Sequence, residues 1–173
     1  AGFYVMRNGW REDDPYLFFD GGLFGSMHQH EDKLSVLMHA FGKPLLVEGG
    51  VGFPYGPYPE YRYSVSTFAH NTVAVDGFGQ ARRYLAPDKG EWVHPYPYTA
   101  PLANPWQTTG TFDYVHASYH NGFGPQFIPV EHRRSVLFKK PDYWLLVDRL
   151  EPHDPGKHSY EAFFHLNAPD WRR

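Results

Sequence analysis

The chain has 173 residues, a formal net charge of −3 at pH 7 and no cysteine. This length is sufficient to bury one sizeable core. Because the chain has no cysteine, it has no disulfides, and any metal must be held by His, Asp or Glu. The charge balance does not indicate binding to nucleic acid or to anionic lipid, and the sequence has no apolar run of about 18 residues that would span a bilayer.

Aromatic residues make up 18% of the chain, and 17 Gly and 16 Pro interrupt it at short intervals. This composition predicts an all-β domain with many turns. Short apolar and β-branched runs predict strands, in chain order, over residues 3–7, 16–20, 34–40, 44–48, 71–76, 114–119, 130–138, 143–150 and 159–166.

Turn residues support this pattern of strands. The sequence Lys-Lys-Pro-Asp at 139–142 predicts a hairpin between 134–138 and 143–148. The stretches 49–69 and 77–110 lack periodicity and predict long loops, which are more often functional than decorative in a compact domain. Residues 167–173 contain no capping strand, which indicates a truncated domain.

The segment Gly-Ser-Met-His-Gln-His-Glu-Asp at 25–32 carries two histidines, His28 and His30. In a strand, residues two apart project to the same face, so both imidazoles would share one surface. The chain has 11 His, so a chance pair is about as plausible as a functional one. Asp32 follows the pair and is either a hydrogen-bond acceptor that orients an imidazole or a turn residue.

Two further residues complete a candidate metal site with His30. Glu48 ends an apolar run, and a carboxylate at the edge of a buried strand usually needs a partner. His70 stands where an irregular loop enters a strand. Taken alone, each is more often a solvated strand end or a satisfied loop histidine, but together the three predict a site for a borderline metal such as zinc.

The remaining histidines carry a weaker signal. Those within predicted strands have no partner motif, so packing or surface positions are favoured for His39, His116, His132 and His165. Those near turns, including His153 and His158, indicate little.

Several segments, in order along most of the chain, resemble the heparinase II/III-like family of polysaccharide lyases. They are Tyr-Leu-Phe-Phe-Asp-Gly-Gly at 16–22, Gly-Ser-Met-His-Gln-His-Glu-Asp-Lys-Leu-Ser at 25–35, Lys-Pro-Leu-Leu-Val-Glu at 43–48, Ser-Thr-Phe-Ala-His-Asn-Thr-Val at 66–73, Val-Asp-Gly at 75–77, His-Arg-Arg-Ser-Val-Leu-Phe at 132–138 and Tyr-Trp-Leu-Leu-Val-Asp-Arg at 143–149.

The resemblance implies an antiparallel β-sandwich of the super-sandwich type, following an α/α toroid that is absent from this chain. Residues 1–173 then form a single β-sandwich domain, or a fragment of one. The family pattern places His28 in the active site and makes His30 and His70 zinc ligands. The third family ligand is an aspartate, and the matching position here is Glu48, whose side chain is one methylene longer.

The resemblance also implies an activity, the cleavage of uronic-acid-containing glycans of the heparin/heparan or alginate type by β-elimination. His28 is expected to neutralise the uronate carboxylate or to act as a base, and the principal catalytic Tyr is expected in the toroid. Tyr55, Tyr58 and Arg62 lie in a Tyr-rich loop between ligand candidates and either line the cleft or pack the loop. Zinc is expected to be structural and to hold His28 in place.

Two alternatives stay open at this point. One is a cupin-like metal enzyme, although cupins need a Glu a few residues after the second His, where Leu34 and Ser35 stand here. The other is a non-catalytic carbohydrate-binding β-module, for which the aromatic residues alone suffice. The family further implies a bacterial, periplasmic or secreted enzyme that acts on an acidic polysaccharide and is independent of nucleic acid and membrane, with a homodimer left open.

Overall fold

Short antiparallel strands account for most of the regular structure. The computed structural model describes residues 2–22, 30–49, 56–81, 85–86, 91–92 and 102–168. The strands are β1 (Phe3–Arg7), β2 (Tyr16–Asp20), β3 (Val36–Ala40), β4 (Lys43–Leu46), β5 (Val73–Val75), β6 (Leu85–Ala86), β7 (Glu91–Trp92), β8 (Trp106–Thr108), β9 (Phe112–Tyr119), β10 (Val130–Lys139), β11 (Tyr143–Pro152) and β12 (Tyr160–Ala162).

Two four-stranded antiparallel sheets form the frame, with strand orders β1-β2-β3-β4 and β11-β10-β9-β8. Two-residue turns suit antiparallel neighbours, and the β3–β4 turn uses left-handed backbone at Phe41 (φ 57°) and Gly42 (φ 69°). The predicted hairpin around 139–142 is confirmed, because β10 and β11 pair from Val130↔Pro152 to Lys139↔Tyr143.

The core lies between the two sheets. Alternate residues of β10 are buried, as period-2 strands with one covered face require. The buried apolar cluster draws on both sheets and contains Met6, Leu17, Phe19, Val36, Val115, Ala117, Val136 and Phe138. Burial of each large apolar side chain contributes about 1.5–3 kcal/mol, so this cluster joins the sheets. The predicted all-β sandwich is confirmed.

The two smaller pairings bring distant segments to the end of the first sheet. β5 pairs with β12, and Leu46 forms an isolated bridge with Leu166. Backbone N–H of Val47 donates to the carbonyl of His165 at 3.0 Å. As a result, the C-terminal part of the described chain lies between β4 and β5, next to both Glu48 and His70.

Several predicted boundaries were too wide. The strand predicted over 34–40 begins at Val36, because Leu34 has a left-handed φ of 67° that breaks the ladder. The strand predicted over 44–48 ends at Leu46, so Glu48 lies beyond it. Of the strand predicted over 71–76, only β5 forms, because the polar groups of Asn71 and Thr72 bond to neighbouring segments instead of to a strand partner.

Regular structure also occurs where the sequence predicted only loops. A short helix, α1 (Pro59–Ser64), and a 3-10 turn, Thr67–Ala69, lie within the stretch 49–69. Proline at the first helical turn fits the missing N–H there, but a helix of six residues is too short to show a periodic pattern. β6, β7 and β8 lie within the stretch 77–110. Among the described residues, no helix is long and apolar enough to cross a membrane.

Candidate metal centre and its supporting network

Four polar side chains from three segments meet at the end of the first sheet, and we call them the histidine–carboxylate cluster: His30, Asp32, Glu48 and His70. The rings of His30 and His70 lie 5.2 Å apart between centroids. One ligand atom from each of His30, Asp32 and His70 lies within 4.8 Å of the other two. Glu48 completes the cluster, because its Oε2 contacts Nδ1 of His70.

His70 is the most enclosed member of the histidine–carboxylate cluster, with 1% of its surface exposed. Its Nδ1 faces Glu48, and its buried Nε2 has no hydrogen-bond partner. A buried polar atom without a partner costs about 1–3 kcal/mol unless something else satisfies it. Two imidazoles and two carboxylates are the ligand types that zinc accepts without cysteine, so the residues present fit this metal.

The expected geometry around His30 is wrong in one respect. His30 lies in an irregular segment just before a turn and belongs to no strand. The argument that both histidines share a strand face therefore fails at its second residue, and His28 lies outside the described residues. His30 approaches His70 because the segment that follows it is held by side-chain hydrogen bonds.

Asp32 is more central than the sequence indicated. The sequence left it as an orienting acceptor or a turn residue, whereas its carboxylate lies among the convergent ligand atoms. Burial raises the pKa of Asp32, and the nearby His70 and His30 oppose that rise. Burial makes the ionised form of this carboxylate costly, and a cation next to it would offset that cost.

Asn71 holds three segments around the histidine–carboxylate cluster. Its buried side-chain amide donates to the carbonyls of Val36 at 2.8 Å and Val47 at 3.0 Å, and its Oδ1 accepts from the backbone N–H of His165 at 2.6 Å. Its own N–H donates to Ser35 Oγ at 3.1 Å. Asn71 therefore ties His70 to the strand before Glu48 and to the segment that follows Asp32.

Arg134, on β10 of the second sheet, binds the backbone of the same region. Its Nη1 donates to the carbonyls of Leu34 at 2.7 Å and Asn71 at 2.6 Å. Its Nε and Nη2 donate to the two oxygens of Asp148 at 2.7 and 2.9 Å. His132 Nε2 lies 2.7 Å from the same Asp148 carboxylate. Arg134 thus links the sheet to both segments that carry the histidines.

The charges of this network depend on its hydrogen bonds. Burial alone raises the pKa of Asp148, but hydrogen bonds from His132 and Arg134 outweigh it and hold that pKa well below its usual range. Burial lowers the pKa of His132, with the Arg134 charge adding to the effect and the Asp148 bond opposing it. His132 is therefore a neutral donor to an ionised Asp148.

A second buried network surrounds Lys33, the residue that follows Asp32. Gln80 clamps Lys33, accepting from its N–H at 3.0 Å and donating to its carbonyl at 2.7 Å. Burial lowers the pKa of Lys33 to about 8 against the opposing charge of Asp20. Burial, with the Asp32 carboxylate adding to it, raises the pKa of Asp20 to about 7.

The predicted substrate residues are only partly described. Tyr55 lies outside the described residues. Tyr58 is the N-cap of α1 and is 51% exposed, and Arg62 is an exposed residue in the last turn of the same helix. The two are linked through the backbone, where the N–H of Arg62 donates to the Tyr58 carbonyl at 3.1 Å. Within the described residues, no ion pair joins Arg62 to the histidine–carboxylate cluster.

No role was predicted from the sequence for four residues of these networks: Arg134, Asp148, Asn71 and Gln80. One signal was present in the pattern, because strands with alternating burial place Arg134 and Asp148 on the same face as apolar residues of β10 and β11. A charged residue at an inward position needs a partner. Asn71 and Gln80 lie in irregular segments, where no such periodic signal exists.

The family model described as Heparinase II/III-like, C-terminal, matches residues 1–173. The chain belongs to this family. The resemblance inferred from the sequence motifs is thereby confirmed, and the chain carries the family's C-terminal domain.

Individual relatives are distant and much longer. A heparin-sulfate lyase of Pedobacter heparinus is 24% identical over 152 residues, which cover 86% of this chain and 20% of that protein. The crystal structure of heparan sulfate lyase HepC from Pedobacter heparinus superposes with a TM-score of 0.68 at 22% identity, over 91% of this chain and 22% of that one. A heparinase III structure gives a TM-score of 0.63 at 25% identity with the same coverage.

The chain thus spans about a fifth of the length of these relatives. The structural likeness to heparan sulfate lyase HepC is evidence of fold. Family membership excludes the cupin alternative, because the matching domain is a heparinase-type sandwich over the whole chain.

Proposed function

We propose that this chain is the β-sandwich part of a polysaccharide lyase that cleaves heparin- or heparan-like glycans by β-elimination, together with an α/α toroid outside residues 1–173. The observation that carries the proposal is the histidine–carboxylate cluster, whose member His30 stands two residues after His28 in the sequence of a chain of the heparinase II/III-like family. Its relatives are named as lyases of heparin or heparan sulfate.

The proposed metal is zinc, held by His30, Glu48 and His70 with Asp32 as a fourth group. Four protein groups would leave no open position for water, as is typical of structural zinc. A bound zinc would supply a positive charge that favours the ionised form of both carboxylates and the neutral, oriented form of both imidazoles. The supporting observations are the convergence of ligand atoms from His30, Asp32 and His70 and the contact of Glu48 Oε2 with Nδ1 of His70.

The reaction requires removal of the proton on C5 of the uronate. The electron pair of that C–H bond forms the C4=C5 double bond as the C4–O4 bond breaks, and the leaving oxygen takes up a proton. The uronate carboxylate opposes this step, since it must accept more negative charge. We propose that His28 donates a hydrogen bond to that carboxylate and so stabilises the developing charge, while a Tyr of the toroid transfers the protons.

Aromatic and basic residues of the segment 55–62 are proposed to bind the glycan. Tyr58 at the N-cap of α1 and Arg62 in its last turn are both exposed, which suits stacking on a sugar ring and pairing with a carboxylate or sulfate. Tyr55 is proposed to extend this surface. The enzyme is proposed to act outside the cytoplasm, in the periplasm or after secretion, where such polymers occur, and a homodimer remains part of the hypothesis.

The test uses the full-length protein that contains this chain. We expect unsaturated uronate products, measured by ultraviolet absorbance, from heparan sulfate or heparin, and a loss of at least about 100-fold in kcat for His28→Ala. His153→Ala is the matched control, because this histidine is 53% exposed and lies outside the histidine–carboxylate cluster. Glycan binding without product would instead indicate a carbohydrate-binding module, and product from alginate alone would refute the substrate class.

A further inference from the structure

Three turns line one pocket at the end of the sandwich away from the histidine–carboxylate cluster. They are the β1–β2 connection, the β3–β4 turn and the β10–β11 turn. His30 and Asp32 precede β3, whereas Phe41 follows its last residue. A strand of this length spans roughly 16 Å, so the pocket is separate from the candidate metal centre.

We call this site the turn pocket, and its volume is about 230 Å³. Its lining consists of aromatic rings, prolines, one alanine and two carboxylates: Asp13, Pro15, Ala40, Phe41, Pro141, Asp142 and Trp144. Small-molecule sites usually have volumes of about 300–1,000 Å³. The turn pocket therefore suits a single side chain better than a larger ligand.

The walls of the turn pocket are held by the fold itself. The β1–β2 connection is closed by a backbone hydrogen bond of 3.2 Å to the Pro15 carbonyl, and the N–H of Asp142 donates to the Lys139 carbonyl at 2.7 Å. The Trp144 ring stacks on the buried Phe138 ring, with 4.9 Å between centroids. Since these walls are in place before a ligand arrives, binding costs less entropy.

Both charged residues that line the turn pocket are acidic, Asp13 and Asp142. Their pairing with cations is loose and exposed, because Arg11 lies 3.8 Å from Asp13 and Lys139 lies 3.4 Å from Asp142. Exposed ion pairs of this kind are weak, so both carboxylates can exchange these partners for another cation. The turn pocket therefore attracts cations and repels sulfate, phosphate and carboxylate groups.

The hydrogen-bonding groups of the turn pocket also select its ligand. Among the lining residues, the indole of Trp144 is the one side chain that can donate, and the two prolines have no N–H. A sugar needs donors for its hydroxyl oxygens as well as acceptors for its hydroxyl protons. An alkylammonium group needs acceptors and apolar contact alone, and the turn pocket offers both.

Exposed aromatic rings extend this surface. Phe41 is 85% exposed, and Tyr143, between Asp142 and Trp144 in the chain, is 54% exposed. The Phe41 backbone has a φ of 57°, which is uncommon for a bulky residue. Aromatic faces beside carboxylates are the surroundings that bind an ammonium group by combined cation–π and ionic attraction.

We propose that the turn pocket binds a lysine side chain of a partner protein. The aliphatic stem of the lysine packs on the apolar walls, and its ammonium donates to Asp13 and Asp142. Lysine fits better than arginine, because a compact ammonium can donate to carboxylates of two different turns, whereas the guanidinium fork prefers one carboxylate. This inference is independent of the proposed function.

Fluorine NMR on the full-length protein that contains this chain tests the turn pocket. The protein is labelled with fluorotryptophan, and a Trp144→Phe variant identifies the Trp144 resonance. Two probes are compared: N-acetyl-lysine N-methylamide, and the norleucine analogue, which keeps the aliphatic stem without the ammonium. We expect the lysine probe to shift the Trp144 resonance to saturation and to bind about tenfold more tightly than the norleucine probe.

Variants of the two carboxylates assign the contact. Asp13→Asn and Asp142→Asn are each expected to weaken binding of the lysine probe by about three- to fivefold, and added salt should weaken it further. Since the two residues lie on different turns, one variant remains informative if the other fails to fold. Glu12→Gln is the matched control, because it removes the same charge from an exposed residue of the Asp13 turn that does not line the pocket. It is expected to bind the lysine probe as the parent protein does.

Three results would overturn the proposal. One is equal binding of the two probes, or unchanged binding of the lysine probe in both Asp variants. Another is glucosamine that binds as tightly as the lysine probe and loses affinity in the same variants, which would make the ligand an amino sugar. The third is a Trp144 resonance that shifts with protein concentration alone, together with a dimer in sedimentation that Asp142→Asn disrupts, which would assign the pocket to a second copy of this chain.

Discussion

Arg134 and Asp148 form a bidentate ion pair across β10 and β11, with Nε 2.7 Å from Oδ1 and Nη2 2.9 Å from Oδ2. The Arg134 side chain is fully buried, and that of Asp148 is 21% exposed. The remaining donor of the guanidinium binds two backbone carbonyls of the loops that carry the histidine–carboxylate cluster. One ion pair therefore supports both the sheet and the candidate metal centre.

Arg134→Leu is expected to destabilise the domain by about 3 kcal/mol, since removing one partner of a buried pair leaves the other charge uncompensated. Urea unfolding measures this loss. Arg134→Lys keeps the charge but not the bidentate fork, so an intermediate loss is expected. Arg149→Leu is the control, because its side chain is 67% exposed and pairs with Glu151 at the surface. A loss at Arg134 no greater than at Arg149 would contradict this account.

Asn71→Ala is expected to cost about 2–4 kcal/mol, because the carbonyls of Val36 and Val47 and the N–H of His165 lose their partner together. Thermal and urea unfolding measure the change. Asn71→Asp keeps an acceptor for His165 but loses both donors, so it should recover only part of the loss. The control is Asn167→Ala, an exposed residue that donates to the Pro44 carbonyl. Equal stability of the two alanine variants would refute the bridging role.

His158 makes stability depend on pH. Its Nδ1 and Nε2 each lie 2.7 Å from a carboxylate, Asp76 and Asp154, and these hydrogen bonds raise its pKa above the ordinary value of 6.5. Protonated His158 therefore stabilises the fold. This contribution is fully present below about pH 6.5 and is lost as pH rises through the pKa of His158 in the folded state. The hydrogen bonds from His158 lower the pKa values of both carboxylates, so their contribution is lost in acid.

The difference in Tm between the parent and His158→Gln is therefore expected to be largest between about pH 4 and 6.5 and to shrink as pH rises above that range. Tm measured at intervals from pH 4 to 9 provides the profile. His116→Gln serves as the control, because the described structure shows no ion pair for this residue of β9. A Tm difference that stays constant across this range would contradict the linkage.

Metal analysis of the isolated chain tests the cluster directly. We expect one zinc per chain, and we expect this zinc to be lost in His30→Ala and His70→Ala. A chelator should lower the Tm, because a metal present at 100 times its Kd stabilises the folded state by about 2.7 kcal/mol. Glu48→Gln is expected to weaken zinc binding more than Asp32→Asn, if the family pattern determines the ligands. The reverse order would make Asp32 the third ligand. Full zinc occupancy in all four variants would refute the site.

Much of the fold was accessible from the sequence, because period-2 burial and turn chemistry are local. The ranges predicted for β1 and β2 match the observed strands, and the hairpin of β10 and β11 follows from one four-residue turn between two apolar runs. α1 was missed, since six residues are too few for a helical period. β8 was missed because its exposed residues show no alternation.

The sequence by itself determined the fold class, the family, and the identity of His30, Glu48 and His70 as residues to examine, because each depends on local pattern or on ordered motifs. Only the tertiary structure decided that Asp32 lies among the convergent ligand atoms and that Arg134, Asp148 and Asn71 hold the segments around it. The physical reason is that a hydrogen bond between residues far apart in the chain, such as that of Arg134 to Leu34, leaves no periodic trace in either segment.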